Sequence, residues 1–245
     1  MFKNLKIGAR LGFGFGLVVI LLLGISVLSY LRVGGLNADI DKLVNDRFPK
    51  TVWANNVIEA IGSAARGQRN LLIDPRPDEI RKQYERIEES TKTIAENLDK
   101  LHKTSTSEKG KALLKDLGQA RSAYMADHDE FLMLMKAGNK AQATEVMLSR
   151  MRKSQATYTT AVVKIVDYEE EAMAREGKEA DERARQTQVL ILVLSAAAVV
   201  LASLFAAWVT RSITRPIDQA LAAANALAEG DLTVRVDAQG QDEVG

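Results

Sequence analysis

Two long apolar runs, residues 11–31 and residues 189–209, bracket the middle of the chain. Each has about 20 residues without a formal charge, enough at about 1.5 Å per residue to cross a bilayer core of roughly 30 Å. We therefore expect two transmembrane helices, with residues 32–188 on one side of the membrane. The alternative for the first run is a cleaved signal peptide, but such a segment usually has a shorter apolar core, about 7–15 residues, and a small-residue cleavage site.

The side of the membrane follows from basic residues near the two runs. They precede the first run and follow the second, at Lys3, Lys6, Arg10, Arg211 and Arg215. Short positively charged flanks stay in the cytoplasm. We therefore expect residues 1–10 and 210–245 to be cytoplasmic and residues 32–188 to lie outside.

Between the runs, apolar residues recur at spacings of three and four, the period of an amphipathic helix. Breaks at residues 74–78, 104–107 and 138–139 divide this pattern into four helices, the first with a kink at Pro49. We expect Asp78 to cap the second helix and Ser107 the third. The short connections predict an all-α fold, an antiparallel up-down-up-down four-helix bundle between two transmembrane helices.

The first helix of the bundle has two neighbouring registers that the sequence leaves open. One buries Ile61, Ala65, Gln68 and Leu72, and the other buries Ile58, Gly62, Ala65, Arg69 and Leu72. In the second register, Arg69 faces the interior of the bundle. The choice therefore decides whether this cation belongs to the core.

Polar residues interrupt the apolar face of the third helix. Arg121, Tyr124 and His128 share that face because they are three and four residues apart. Without a carboxylate beside it on this face, Arg121 is suited to bind a carboxylate through two parallel hydrogen bonds. We predict a site for a small organic carboxylate, formed by Arg121, Tyr124, Thr91, Arg69, Tyr158 and His128.

A purely structural role is the alternative for these residues. In that case Arg121 reaches from the edge of the bundle to a surface acid such as Glu85 or Glu88, and Tyr124 is an ordinary core residue. A lone histidine such as His128 is also more often structural than a ligand. The sequence does not decide between the two interpretations.

Composition narrows the range of functions. The formal net charge is +1, which gives no indication of nucleic-acid binding, and the chain has no cysteine for disulfides or thiolate metal sites. Its two histidines, His102 and His128, lie on different predicted helices, so we expect no metal site and no cofactor. The Gly12-x-Gly14-x-Gly16 run lies inside a predicted membrane span, where it favours close helix packing over nucleotide binding. We therefore expect no enzymatic activity in this chain.

Three short motifs follow the second apolar run. They are Arg215-Pro216-Ile217, Glu229-Gly230-Asp231-Leu232 and Asp242-Glu243-Val244-Gly245. Pro216 suits the first turn of a new helix, where its missing N–H does no harm, and Gly230 suits a helix end. Together these motifs resemble a HAMP signal-relay module. With the two spans and the bundle, the whole chain resembles the sensory half of a bacterial methyl-accepting chemotaxis receptor.

The resemblance implies a function and a set of partners. Residues 210–245 would be an incomplete HAMP module in which Pro216, Gly230, Asp231 and Glu243 belong to the signal relay. The chain would be a two-pass protein of the bacterial inner membrane, a homodimer with a periplasmic bundle that controls a downstream chemotaxis kinase and adaptor. The alternative is the sensory front end of a membrane histidine kinase or nucleotide cyclase.

The resemblance also bears on the ligand. The Ala65-Arg66-Gly67-Gln68-Arg69-Asn70 segment is similar to the arginine-bearing first helix of amino-acid receptors. However, none of the predicted core-facing positions of the bundle helices carries an acid that could bind an ammonium group. We therefore expect a dicarboxylate or tricarboxylate such as malate or citrate.

Overall fold

The computed structural model describes residues 6–230, which consist of helices joined by short turns. The helices are α1 (Ile7–Lys42), α2 (Phe48–Ile73), α3 (Pro77–Thr104), α4 (Glu108–Lys136), α5 (Lys140–Val146) and α6 (Arg152–Ala228). Two π-helical segments, Leu43–Arg47 and Met147–Met151, join α1 to α2 and α5 to α6. The predicted all-α class is confirmed.

One compact unit, Asn37–Ala180, contains the four-helix bundle. Its turns follow local chemistry. The Ser107 hydroxyl accepts a hydrogen bond from the Gly110 N–H at 3.1 Å and caps α4, as predicted. Gly138 has φ +78° after α4, a conformation that glycine adopts without a steric penalty.

The predicted cap at Asp78 is wrong. Pro77 begins α3, and Arg76 occupies the N-cap position without a side-chain cap. Proline suits the first helical position because its fixed φ already matches a helix and its missing N–H has no partner there. Asp78 therefore lies inside the first turn, where its negative charge interacts favourably with the helix dipole.

The core of the bundle resolves the register of the first helix. Ile61, Ala65 and Gln68 are buried, whereas Arg69 is exposed. The register through Gln68 is therefore the one adopted, and Arg69 lies outside the core. Buried side chains of α3, α4 and α6 complete the core, among them Ile87, Ile94, Leu98, Leu117, Phe131 and Ile165.

The interruption predicted at Pro49 takes the form of the π-helical segment Leu43–Arg47 directly before it. Proline cannot donate the usual helical hydrogen bond, and a π turn is one way of accommodating the lost bond. The segment presents Arg47 to α6, where its Nη1 lies 2.9 Å from Glu169 Oε2. Arg47 also binds Glu176 through Nε at 3.2 Å and Nη2 at 2.8 Å. A bidentate ion pair thus joins the first and last segments of the bundle.

The second compact unit extends to Leu36 and resumes at Asp181, and it is described for residues 6–36 and 181–230. Large apolar side chains are exposed along both of its helical segments, including Phe13, Phe15, Ile20, Leu192, Val199 and Leu204. By length and composition, the helices Ile7–Ile73 and Lys140–Ala228 each contain a stretch able to cross a membrane. Gly14 packs against Phe205 so closely that a Cβ atom at residue 14 would lie 1.6 Å from the ring.

Pro216 does not begin a new helix as predicted, because it lies inside α6. A proline leaves the carbonyl four residues earlier without its helical donor, here that of Ser212. Arg10 Nη1 donates to this carbonyl over a long distance, 3.5 Å. The helix then ends near Gly230, which has φ +89°, whereas Asp231 and Glu243 lie outside the described residues.

Candidate functional site

A cluster of polar side chains lies in the core of the bundle. Gln68 of α2 is 1% exposed, and its Nε2 lies 2.6 Å from His128 Nδ1 and 3.2 Å from the Tyr124 hydroxyl of α4. Tyr158 of α6 stacks on Tyr124 with ring centroids 5.7 Å apart. The core therefore joins three of the four bundle helices through these four side chains.

Burial dominates the electrostatics of this cluster. It raises the pKa of Tyr124, against a hydrogen bond from Gln68, and raises the pKa of Tyr158 to about 12, against the positive charge of Arg121. Burial likewise lowers the pKa of His128, against the negative charge of Asp129. All three groups are thus neutral near pH 7.

Tyr158 is a special case within the cluster. Its side chain is 1% exposed, and its hydroxyl has no hydrogen-bond partner among the residues that the structure describes. A buried hydroxyl without a partner loses about 1–3 kcal/mol of solvation. This loss favours any rearrangement or bound molecule that supplies a partner.

A groove of about 290 Å³ opens beside this cluster. It lies where the π-helical segment Met147–Met151 joins α6, and such segments often mark functional sites. Its lining combines apolar and polar side chains, namely Ala65, Gln68, Arg69, Met147, Leu148, Met151, Arg152 and Gln155. Gln68 therefore belongs both to the groove and to the buried cluster.

The two arginines of the groove have no competing acid. Neither Arg69 nor Arg152 forms an ion pair or a side-chain hydrogen bond within residues 6–230. By contrast, Arg150, on the neighbouring turn, binds Glu130 at 2.5 Å and Asp127 at 3.8 Å. The groove thus presents two cations that form no ion pair with the described residues of the bundle.

The structure brings together only part of the predicted carboxylate site. Tyr124 contacts His128, which shares its face of α4 as predicted, and also contacts Tyr158 of α6. Arg121 is half-buried, and its positive charge acts on Tyr158. Among the described residues it forms no ion pair with Glu85 or Glu88, whereas Tyr124 is a core residue with a hydrogen-bonded hydroxyl, as the structural alternative predicts. Their role as ligand-binding residues stays a prediction.

Two predicted residues lie apart from this contact. Thr91 donates its hydroxyl hydrogen bond to the Ile87 carbonyl of its own helix at 2.9 Å. Arg69 lines the groove instead of the core. Two groove residues, Arg152 and Gln155, were not among the predicted site residues, and Gln68 was predicted only as a core position.

Comparison with known proteins identifies the chain as a sensory protein. A family model for a four helix bundle sensory module for signal transduction matches residues 4–184, and a HAMP domain model matches residues 208–245. The chain is 25% identical over 168 residues to a "Putative sensory transducer protein" of Acetivibrio thermocellus, a match that covers 69% of this chain. It spans 30% of the length of that relative. No solved structure matches the chain.

The matched residues include the whole of the compact unit Asn37–Ala180, in which the bundle, the buried cluster and the groove lie. The chain therefore belongs to the family of four-helix-bundle sensory modules for signal transduction, here followed by a HAMP domain as in the sensory half of methyl-accepting chemotaxis receptors.

Proposed function

We propose that the chain is the sensory half of a transmembrane chemoreceptor that binds a small organic carboxylate in the groove beside Gln68. The observation that carries this proposal is the pair of groove arginines, Arg69 and Arg152, neither of which has an acidic partner in the described chain. A guanidinium group binds a carboxylate through two parallel hydrogen bonds. Two such groups suit a molecule with at least two carboxylates.

The size and lining of the groove limit the ligand further. A volume of about 290 Å³ lies at the lower end of the range for small-molecule sites. Met147 and Met151 provide an apolar wall, while Gln68 and Gln155 supply amide donors and acceptors. A dicarboxylate or tricarboxylate such as malate or citrate fits this combination.

The proposed path of the signal follows α6. This helix runs from Arg152, at the groove, to Ala228 without interruption, and it contains the second apolar run. We propose that residues 11–31 and 189–209 span the bacterial inner membrane, that residues 32–188 are periplasmic and that residues 1–10 and 210–245 are cytoplasmic. A carboxylate that favours one arrangement of α6 would then bias the HAMP module and, through it, a chemotaxis kinase and adaptor.

An exposed apolar stripe supports the proposal of a homodimer. Ile40, Val44, Phe48 and Val52 are exposed and follow one another at intervals of four residues, across the π-helical segment. A wider π turn offsets the drift that a spacing of four accumulates in an α-helix. A second copy of the chain could cover this stripe with the same stripe of its own around a two-fold axis.

The ligand proposal is tested by calorimetric titration of the full chain in detergent micelles with malate, citrate and aspartate. We expect the two organic acids to bind and Arg69→Ala or Arg152→Ala to weaken binding about 10- to 100-fold, the effect of losing a charged hydrogen bond. Arg81→Ala is the matched control, because Arg81 is an exposed arginine of α3 that does not line the groove.

Other outcomes would change the assignment. Unchanged binding in both groove variants, with loss of binding in Arg121→Ala, would place the ligand at the site predicted around Arg121 on α4. Binding of aspartate alone would replace the carboxylate class by amino acids. Failure of all three compounds to bind would refute the proposed ligand class.

A further inference from the structure

Gln68 connects the groove to a buried titratable group. Gln68 lines the groove, yet its Nε2 lies 2.6 Å from Nδ1 of His128, a residue that is itself buried. The Tyr124 hydroxyl lies 3.2 Å from Nε2 and 3.4 Å from Oε1 of the same amide. Gln68 therefore both lines the groove and contacts the buried imidazole of His128.

The chemistry of these two groups makes their orientations interdependent. A neutral imidazole whose Nδ1 is an acceptor requires the NH₂ group of the amide, which is the present arrangement. A protonated imidazole carries a hydrogen on both nitrogens and accepts no hydrogen bond. At 2.6 Å, an NH₂ group facing Nδ1–H would bring two donors together, so the amide must present Oε1 instead.

We propose that His128 is a proton sensor coupled to the groove: protonation of its ring reverses the Gln68 carboxamide and favours an anion in the groove. This inference rests on the proposed function, since it concerns regulation of the same site. Reversal moves the NH₂ group to the position that Oε1 now occupies. It thus replaces an acceptor by a donor in a side chain that lines the groove.

Charge favours the same direction of coupling. The neutral Gln68 of α2 contacts the His128 ring, and the neutral phenol of Tyr158 from α6 stacks on Tyr124 beside it. On α4 itself, Asp129 is the charged neighbour that favours protonation, and among the described residues α3 contributes no charge that acts on the ring. A buried imidazolium would form no ion pair with a described residue, since Asp129 is exposed, and an anion in the groove would add a second negative charge that favours it.

The sign of the pH dependence follows from this geometry. Because burial lowers the pKa of His128 below its ordinary value of 6.5, the ring is neutral at pH 7 and gains its proton only in more acidic solution. A carboxylate should therefore bind more tightly as the pH falls through the range in which His128 titrates. By reciprocity, a bound carboxylate must raise the pKa of His128 by the same factor.

The experiment follows both sides of this coupling in the full chain in detergent micelles. The imidazole signals of His128 are recorded by NMR from about pH 8 to about pH 5, the range in which histidine ordinarily titrates, with and without saturating malate. His102→Gln removes the other histidine and is the matched control, because His102 is an exposed residue at the end of α3. Malate affinity is measured over the same pH range by calorimetry.

We expect malate to raise the midpoint of His128 by about 0.5–1 pH unit and malate affinity to rise about 3- to 10-fold across the titration, as reciprocity requires. His128→Asn retains an acceptor for Gln68 but does not titrate, so its remaining pH dependence gives the contribution of malate itself. Gln68→Met should bind malate more weakly, and at saturating malate the midpoint of His128 should not move. An unaltered midpoint in wild-type protein, or equal pH dependence in His128→Asn, would overturn the proposal.

The ligand-free chain distinguishes failure of this inference from failure of the proposed function. If neither malate nor citrate binds at any pH, the carboxylate ligand is wrong. The side-chain amide signals of Gln68 then decide the present inference. Amide signals that follow the titration of His128 support the coupling, whereas signals that do not respond to it refute the coupling.

Discussion

Replacing Arg47 by methionine is expected to destabilise the bundle strongly, because it removes the only partner that the structure gives to a buried carboxylate. Within the described residues, Glu169 pairs with Arg47 alone, and its side chain is 3% exposed. Glu176, on the same face of α6, takes two hydrogen bonds from the same guanidinium group. Methionine retains an unbranched, apolar stem at this position but has no charge.

The magnitude follows from these contacts. A buried carboxylate deprived of its partner destabilises a fold by about 3–5 kcal/mol. Arg47 also lowers the pKa of Glu176 from 4.5 to about 2, which at about 1.36 kcal/mol per pKa unit corresponds to about 3 kcal/mol. Glu176 is partly exposed to solvent and is also bound by Lys42. Solvent screening therefore reduces the contribution of its pair with Arg47 to about 1 kcal/mol. The buried Glu169 therefore determines most of the loss.

The assay is thermal unfolding of the full chain in detergent micelles, followed through the helical circular dichroism signal. At about 2–4 °C per kcal/mol for a unit of this size, the combined loss of about 4–6 kcal/mol should lower the melting temperature of Arg47→Met by about 8–24 °C at pH 7. A carboxylate with a depressed pKa stabilises the fold above its ordinary pKa, here 4.5, and loses that contribution as the pH falls toward about 2. Wild-type protein should therefore lose stability below about pH 4, and the difference between its melting temperature and that of Arg47→Met should become smaller.

Two variants make this prediction refutable. Lys42→Met removes a partner of Glu176 that is 53% exposed, and it should cost at most about 1 kcal/mol. Arg47→Met combined with Glu169→Gln removes the unpaired charge and should recover part of the loss. The reasoning is refuted if Arg47→Met is no less stable than Lys42→Met, or if the double variant recovers nothing.

Two further substitutions test local packing and capping. Gly14→Ala should displace the Phe205 ring, since the new Cβ would lie 1.6 Å from it, and should therefore alter the fluorescence of Trp208, whose ring centroid is 5.5 Å from that of Phe205. The measurement uses a background without the other tryptophan, and Gly16→Ala, which has open space around it, should leave the emission unchanged. Ser107→Ala should destabilise the bundle by about 1 kcal/mol, measured by thermal unfolding, whereas Ser107→Thr should retain the cap.

The helices and most of their ends could be predicted from local chemistry. Ser107 provides the cap, and Gly138 provides the positive φ, because each acts on the backbone within a few residues. Asp78 shows where such rules compete. Its side chain could cap a helix, but the fixed φ of Pro77 placed the helix start two residues earlier than that cap requires.

The candidate site was less accessible to the sequence, for a geometric reason. Tyr124, His128 and Tyr158 follow from helical spacing on regular segments, and their contact agrees with it. The groove depends on Met147–Met151, where a π-helical segment changes the phase of the helix. Spacings of three and four assume a constant phase, so they could not place Arg152 beside a residue of α2.

Pro216 shows that residues far away in the sequence can contribute to the backbone hydrogen bonding of a helix. The expectation that proline marks a helix start assumes that the carbonyl it leaves unpaired has no other donor nearby. Arg10, which is 202 residues before Ser212, provides such a donor at 3.5 Å. The same cation contributes to the basic flank that predicts topology, a property that depends on charge alone. Its contact with Ser212 adds a geometric role, because it gives a donor to the carbonyl that Pro216 leaves unpaired. In the same structure α6 continues past Pro216 and joins the second apolar run to the residues matched by the HAMP domain in one helix.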